Sequence, residues 1–253
     1  MIHAMDYPFL IFVTSFITLW LTVHLGNRLQ EKVHPLAGDR REDFSVIQGA
    51  ALTLLGLLIG FTFSMAISRY DQRKNYEEAE ANAIGTEYVR AGLLPAADTA
   101  RLQELLRQYL DQRVLFYTTH DAQRLKQIDA KTSQLQNDLW SVVQARGVAQ
   151  STAITSLAVS GMNDVLNSQG YTQAAWLNRI PPAAWILLTA IAVVCNLLIG
   201  YGAHGKSAML FMIFPLVVAV SFFFIADIDS ARRGVIRVRP ENLISLSQSL
   251  RPH

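Results

Sequence analysis

The sequence predicts an all-α membrane protein with four transmembrane helices and a helical extramembrane region between the second and third. Two observations predict this. Apolar residues make up 51% of the 253 residues and gather in four long runs, with the charges almost entirely between them. Each run approaches the roughly 20 apolar residues that a helix needs to cross the hydrocarbon core. In addition, the stretch 69–180 has apolar residues at steps of three and four and no sustained alternation, so it reads as helix rather than strand. The expected organisation is a first transmembrane pair over 1–68, an extramembrane helical region over 69–180, a second transmembrane hairpin over 181–226 and a charged tail over 227–253. The net charge of +2 supplies no basic surface for nucleic acid. The single cysteine, Cys195, lies in an apolar run and reads as small apolar packing.

The first span covers Pro8 to Gly26. Its apolar core is longer than a signal-peptide h-region, no Lys or Arg precedes it and no small-x-small cleavage site follows, so it reads as a helix that stays in the membrane. Trp20 and His24 suit an interfacial position at its far end. Residues 27–46 read as a polar loop containing Arg28, Lys32, Arg40 and Arg41, broken by Pro35 and Gly38.

The second span, Ile47 to Ser68, carries the most information. Gly49, Thr53, Gly56, Gly60, Phe63 and Ser64 recur at steps of three or four and share one helical face. Gly56 and Gly60 form the small-xxx-small pattern that lets two helix backbones approach closely. The face therefore serves packing against a helix of the same or a neighbouring subunit, or it lines a pore. In a pore, Thr53 and Ser64 offer hydroxyl oxygens and Phe63 forms a hydrophobic constriction. No proline interrupts the chain after Ser68, so the helix is expected to run on into water as far as Gly92 and Pro95. Arg69, Asp71, Arg73, Glu77, Glu80 and Glu87 lie on this extension, either on a solvated face or as charges around the mouth of a pore in a cyclic oligomer. No His or Cys lies among them, so no transition-metal site and no cofactor is expected.

The stretch GLLIGFTFSMAISRYDQR, followed by EANAIGTEYVRAGLLP, resembles the signature of a bacterial membrane family named for its bestrophin-like domain. The tail IADIDSARRGVIRV (Ile225 to Val238) resembles that family's ending, in which an acidic pair precedes a basic and glycine-containing turn. The EANAIGT block (Glu80 to Thr86) is the most specific of these. The resemblance extends more distantly to the bestrophin anion channels. It implies a pentamer with an axial pore and helices that extend from the membrane. The chain lacks the Ile-Pro-Phe type of pore neck and the acidic calcium clasp of those channels, for which Asp227 and Asp229 alone are too few.

Between Ala96 and Ile180 three amphipathic helices are expected. Leu102, Leu106, Tyr109 and Leu110 mark the first, and Ile128, Leu135, Leu139 and Val143 the second. The third runs over 148–166 with Ile154, Leu157, Ala158, Met162 and Val165 on one side, and Gly147, Gly161 and Gly170 punctuate the pattern. His120 beside Asp121 reads as a solvated turn. With no nucleophile elbow, phosphate loop or zinc spacing, the sequence does not predict an enzyme.

Pro181 and Pro182 open the third span, which ends near Tyr201. Asn196 within it requires a hydrogen-bonding partner. The fourth runs from Ala208 to Ala226 with Pro215 as a kink. In the tail, Asp227, Asp229, Arg232, Arg233, Arg237 and Arg239 form either a membrane-surface cap with internal ion pairs or a charged vestibule. Leu243, Leu246 and Leu250 give a short terminal helix a face to dock. The basic residues after the first span favour a cytoplasmic loop there, with termini and middle region on the far side, while the Arg-rich tail and a bestrophin-like topology favour the reverse; cytoplasmic termini and a cytoplasmic middle region are the expectation.

The leading functional expectation is an oligomeric ion channel in the inner membrane, with the second helix lining its pore and with the bilayer, further copies of itself and a permeant ion as partners. The alternative is a non-conducting, membrane-anchored scaffold or sensor whose extramembrane bundle binds a partner.

Overall fold

The computed structural model describes residues 7–32, 39–203 and 208–251. Among these residues the chain forms eight helices and no strand: α1 (Pro8–Lys32), α2 (Asp39–Ala91), α3 (Ala96–Thr118), α4 (Ala122–Ala149), α5 (Ala153–Leu177), α6 (Pro182–Gly202), α7 (Ala208–Asp229) and α8 (Glu241–Ser249). Four membrane-length apolar segments lie on α1, α2, α6 and α7, and the all-α membrane class holds.

Several boundaries differ from expectation. Most of the polar loop over 27–46 is helix, because Arg28, Leu29, Gln30, Glu31 and Lys32 are good helix formers that continue α1, and α2 already begins at Asp39. Pro35 and Gly38 lie outside the described residues. Gly147, Gly161 and Gly170 sit inside helices. The break between α4 and α5 falls instead where Thr152 accepts a hydrogen bond from the Thr155 N–H and caps α5. Asp121 likewise caps α4, accepting from the backbone of Gln123 and Arg124, so the His120–Asp121 turn is a helix start.

The chain divides into two compact units. The first comprises Met1–Tyr70 with Arg179–Arg237. Its core joins Leu19, Leu55, Ala66, Trp185, Leu188, Cys195, Phe222 and Ile225. Here α1 packs against both α6 and α7, whereas α6 and α7 touch each other little, so the expected second hairpin is held together through α1. Two glycines make the α1–α6 crossing. A β-carbon on Gly26 would fall on the Leu197 carbonyl oxygen and 2.9 Å from the Tyr201 nitrogen. One on Gly200 would fall on the Val23 carbonyl oxygen and 3.0 Å from the Asn27 nitrogen. This small-residue contact lies within one protomer and was not among the expected ones. Asn196 is buried and donates to the Ala192 carbonyl of its own helix at 2.7 Å.

After α7 the chain folds back on its own acidic pair. The Asp227 carboxylate accepts from the Val235 N–H at 2.7 Å and the Ile236 N–H at 2.8 Å. Gly234 passes so close to the Asp227 carbonyl that a side chain there would collide with it. Asp229 accepts from the Ile180 N–H at 3.2 Å and lies 3.8 Å from the Arg69 guanidinium. Both carboxylates are buried, in keeping with a structural cap rather than an open vestibule. Asp227→Ala leaves two backbone donors without their acceptor and is expected to cost about 1–3 kcal/mol. Thermal unfolding of the detergent-solubilised protein measures this, with Asp227→Asn losing less because it keeps one acceptor oxygen.

The second unit comprises Asp71–Asn178 with Val238–His253. Leu102, Leu106 and Tyr109 of α3 are buried, as are Ile128, Leu135 and Leu139 of α4 and Ala158, Met162 and Val165 of α5. Ile154 and Leu157, expected on the same side of α5, are exposed near its start. Helix α8 packs on α3 with Leu243 fully buried, and Leu246 meets α2 at Gly85, so the terminal helix docks by the expected face.

Candidate functional site

Helix α2 buries one stripe from Leu55 to Ala91. Leu55, Thr62, Ala66, Arg73, Glu77, Glu80, Ile84, Glu87 and Ala91 are all buried and recur at steps of three, four and seven, the spacing of a single helical face. In the first unit the stripe is apolar apart from Thr62, whose hydroxyl returns to the Leu58 carbonyl at 2.7 Å. In the second unit it carries Arg73, Glu77, Glu80 and Glu87 alongside the apolar Ile84 and Ala91.

Those charges have specific partners. The Arg73 guanidinium donates to the carbonyls of Ala175 and Asn178, each at 3.3 Å. Glu77 accepts from the Asn242 amide at 2.6 Å and the Leu243 N–H at 2.9 Å, which caps α8. Glu80 binds Arg113 of α3 through a close ion pair and accepts from the Thr172 hydroxyl of α5 at 3.0 Å. Burial alone would push the Arg113 guanidinium down. The Glu80 carboxylate outweighs this and holds it above its ordinary value. Phe116 lies under the same guanidinium, 4.5 Å from ring centroid to Cζ. Burial, reinforced by Glu80, pushes the phenols of Tyr109 and Tyr117 up, so both remain neutral. Glu87 is buried with Arg90 at 4.0 Å, and burial pushes its carboxyl up to about 8.

The opposite side of α2 is uncovered. A β-carbon added to Gly49, Gly56 or Gly60 meets no atom within 4 Å. Thr53, Phe63 and Ser64 are exposed, with the Thr53 hydroxyl bonded back to the Gly49 carbonyl at 2.9 Å. Packing against a helix of the same subunit is therefore not what these glycines do. Roughly a third of a turn further round, Val46, Leu54, Leu57 and Phe61 form a second exposed face, bulky and apolar.

Of the six residues expected at a pore mouth, only Asp71 lies on the exposed line that continues the glycine face. Arg69 is half-buried against Asp229, and Arg73, Glu77, Glu80 and Glu87 are turned into the protomer. The residues that continue the line are Asp71, Lys74, Glu78 and Asn82, all exposed. Carrying the helical phase of Gly56 and Gly60 past Ser68 identifies them from sequence alone.

Comparison with known proteins agrees with this architecture. No curated protein matches the chain by sequence. Among solved structures, a single-residue variant of a bacterial Bestrophin homolog from Klebsiella pneumoniae superposes with a TM-score of 0.67 at 12% identity, covering 94% of this chain and 95% of that one. The same homolog in a structure phased by Zn-SAD gives 0.66 at 13% identity, covering 94% and 96%. A further crystal structure, described as that of a membrane protein, gives 0.67 at 13% identity, covering 96% and 97%. At such identities the likeness is one of fold. The Bestrophin-like domain family model matches residues 15–243, and the chain, a membrane protein built on four apolar helices, belongs to the bestrophin-like family.

Proposed function

We propose that the protein is an ion channel of the bacterial inner membrane, assembled from several copies around an axis lined by α2. The observation that carries this reading is the uncovered face at Gly49, Thr53, Gly56 and Gly60, set opposite a stripe that is buried within the protomer. A helix with its core side satisfied and two further sides free suits a ring, where one free side faces the axis and the other faces a neighbour or lipid. Thr53 and Ser64 then offer hydroxyl oxygens, Phe63 narrows the path, and Asp71, Lys74 and Glu78 continue it beyond the membrane. Four helices barely enclose a pore whereas a symmetric ring can, so this reading puts conduction in the assembly. The family resemblance supports five copies and anions as the permeant class.

Reconstitution in liposomes tests the proposal. The assembled protein is expected to dissipate a chloride gradient, and Phe63→Ala to raise the flux severalfold by widening the constriction. Gly60→Leu is expected to leave the protomer's thermal stability unchanged, because its side chain enters open space, and to abolish flux. Rings that pass neither chloride nor potassium would overturn the channel and favour a membrane-anchored scaffold. A Gly60→Leu protein that no longer assembles would assign that face to contact between copies.

A further inference from the structure

Glu87 occupies the seam between α2 and α5, where it has no hydrogen-bonding role. The residue is fully buried, and neither carboxyl oxygen has a hydrogen-bond partner. Room for it is made by Gly161 of α5, where a β-carbon would collide with Oε2. Two charged groups face it. From α2 comes Arg90, its guanidinium 4.0 Å from Oε2 and beyond hydrogen-bond reach, and from α5 comes Asp164, exposed at the rim of the seam. A carboxylate without donors is far costlier to bury than the neutral acid, and a nearby carboxylate raises that cost.

We propose that Glu87 is a proton-binding site built into the α2–α5 seam, and that loss of its proton loosens this seam. Burial pushes its carboxyl up from 4.5 to about 8, Arg90 pulls it down and Asp164 adds to the rise. Because the folded value lies above the unfolded one, the contribution to stability is full at low pH. It is lost as pH rises from the ordinary carboxyl range through about 8, and levels off above.

Hydrogen exchange of the full-length protein in detergent, followed across a pH series and corrected for intrinsic exchange, reads the seam through the α5 amides around Gly161. Protection is expected to fall about tenfold per pH unit between roughly pH 6 and 7.5 and to flatten above about 8. In Glu87→Gln, which stays neutral, it is expected to be flat. Asp164→Asn removes a like charge and is expected to move the flattening to lower pH, whereas Arg90→Gln removes a favourable charge and moves it to higher pH. A flat wild-type profile overturns the proposal, as does an unchanged slope in Glu87→Gln. Should Glu87→Gln fail to fold, an unmoved profile in both Asp164→Asn and Arg90→Gln overturns it equally. The readout does not involve conduction, so it stands apart from the channel assignment.

Discussion

Arg113→Ala is expected to cost the extramembrane unit about 3–5 kcal/mol. The substitution strands the Glu80 carboxylate in a fully buried setting with only the Thr172 hydroxyl to accept from. It also removes the guanidinium that lies over Phe116. The loss therefore comes less from the attraction of the pair than from an uncompensated buried charge. A double substitution separates the two: Glu80→Leu with Arg113→Met removes both charges at similar volume and is expected to recover much of what Arg113→Ala loses. Thermal unfolding in detergent, monitored by helicity, measures the difference. A double variant no more stable than Arg113→Ala would show that the ion pair itself contributes most of the stability.

Gly200→Leu is expected to be comparably damaging in the membrane-spanning unit. The new side chain has backbone, not a movable side chain, in its way, at the Val23 carbonyl and the Asn27 nitrogen. Helices α1 and α6 must separate, and α1 is also the element that holds α7. Overpacking in a core costs about 1–3 kcal/mol, and a rigid backbone obstacle places this site at or above the upper end. Gly56→Leu, on α2, is expected to leave the protomer's stability nearly unchanged. Size-exclusion profiles and melting temperatures of the two variants side by side test the contrast. Equal stability of both would mean that the α1–α6 crossing relaxes at little cost.

The helical class and the four spans were legible because hydrophobic runs of membrane length are a local property. Helix ends were less so. Arg28 to Lys32 and Arg40 to Ser45 look like loop by polarity yet are tied to helices that begin or end nearby, and Gly161 is tolerated in α5 because Glu87 needs the space above it. The glycine face was legible from its spacing, but its emptiness depends on which helices cover α2, which no local pattern records. Charged residues of the extension were assigned to solvent on residue type. Their partners lie far along the chain, with Arg113 33 residues from Glu80, Thr172 92 from it and Asn242 165 from Glu77.

The long stripe of α2 also limits how its length can change. Inserting one residue between Glu80 and Ile84 would turn everything beyond it by about 100°, taking Ile84 and Glu87 off the buried face while Glu77 and Glu80 kept Leu243 and Arg113. Seven inserted residues restore the alignment to within about 20°. The rod thus behaves like a toothed gear, and length variation in this stretch is confined to steps that keep the teeth meshed.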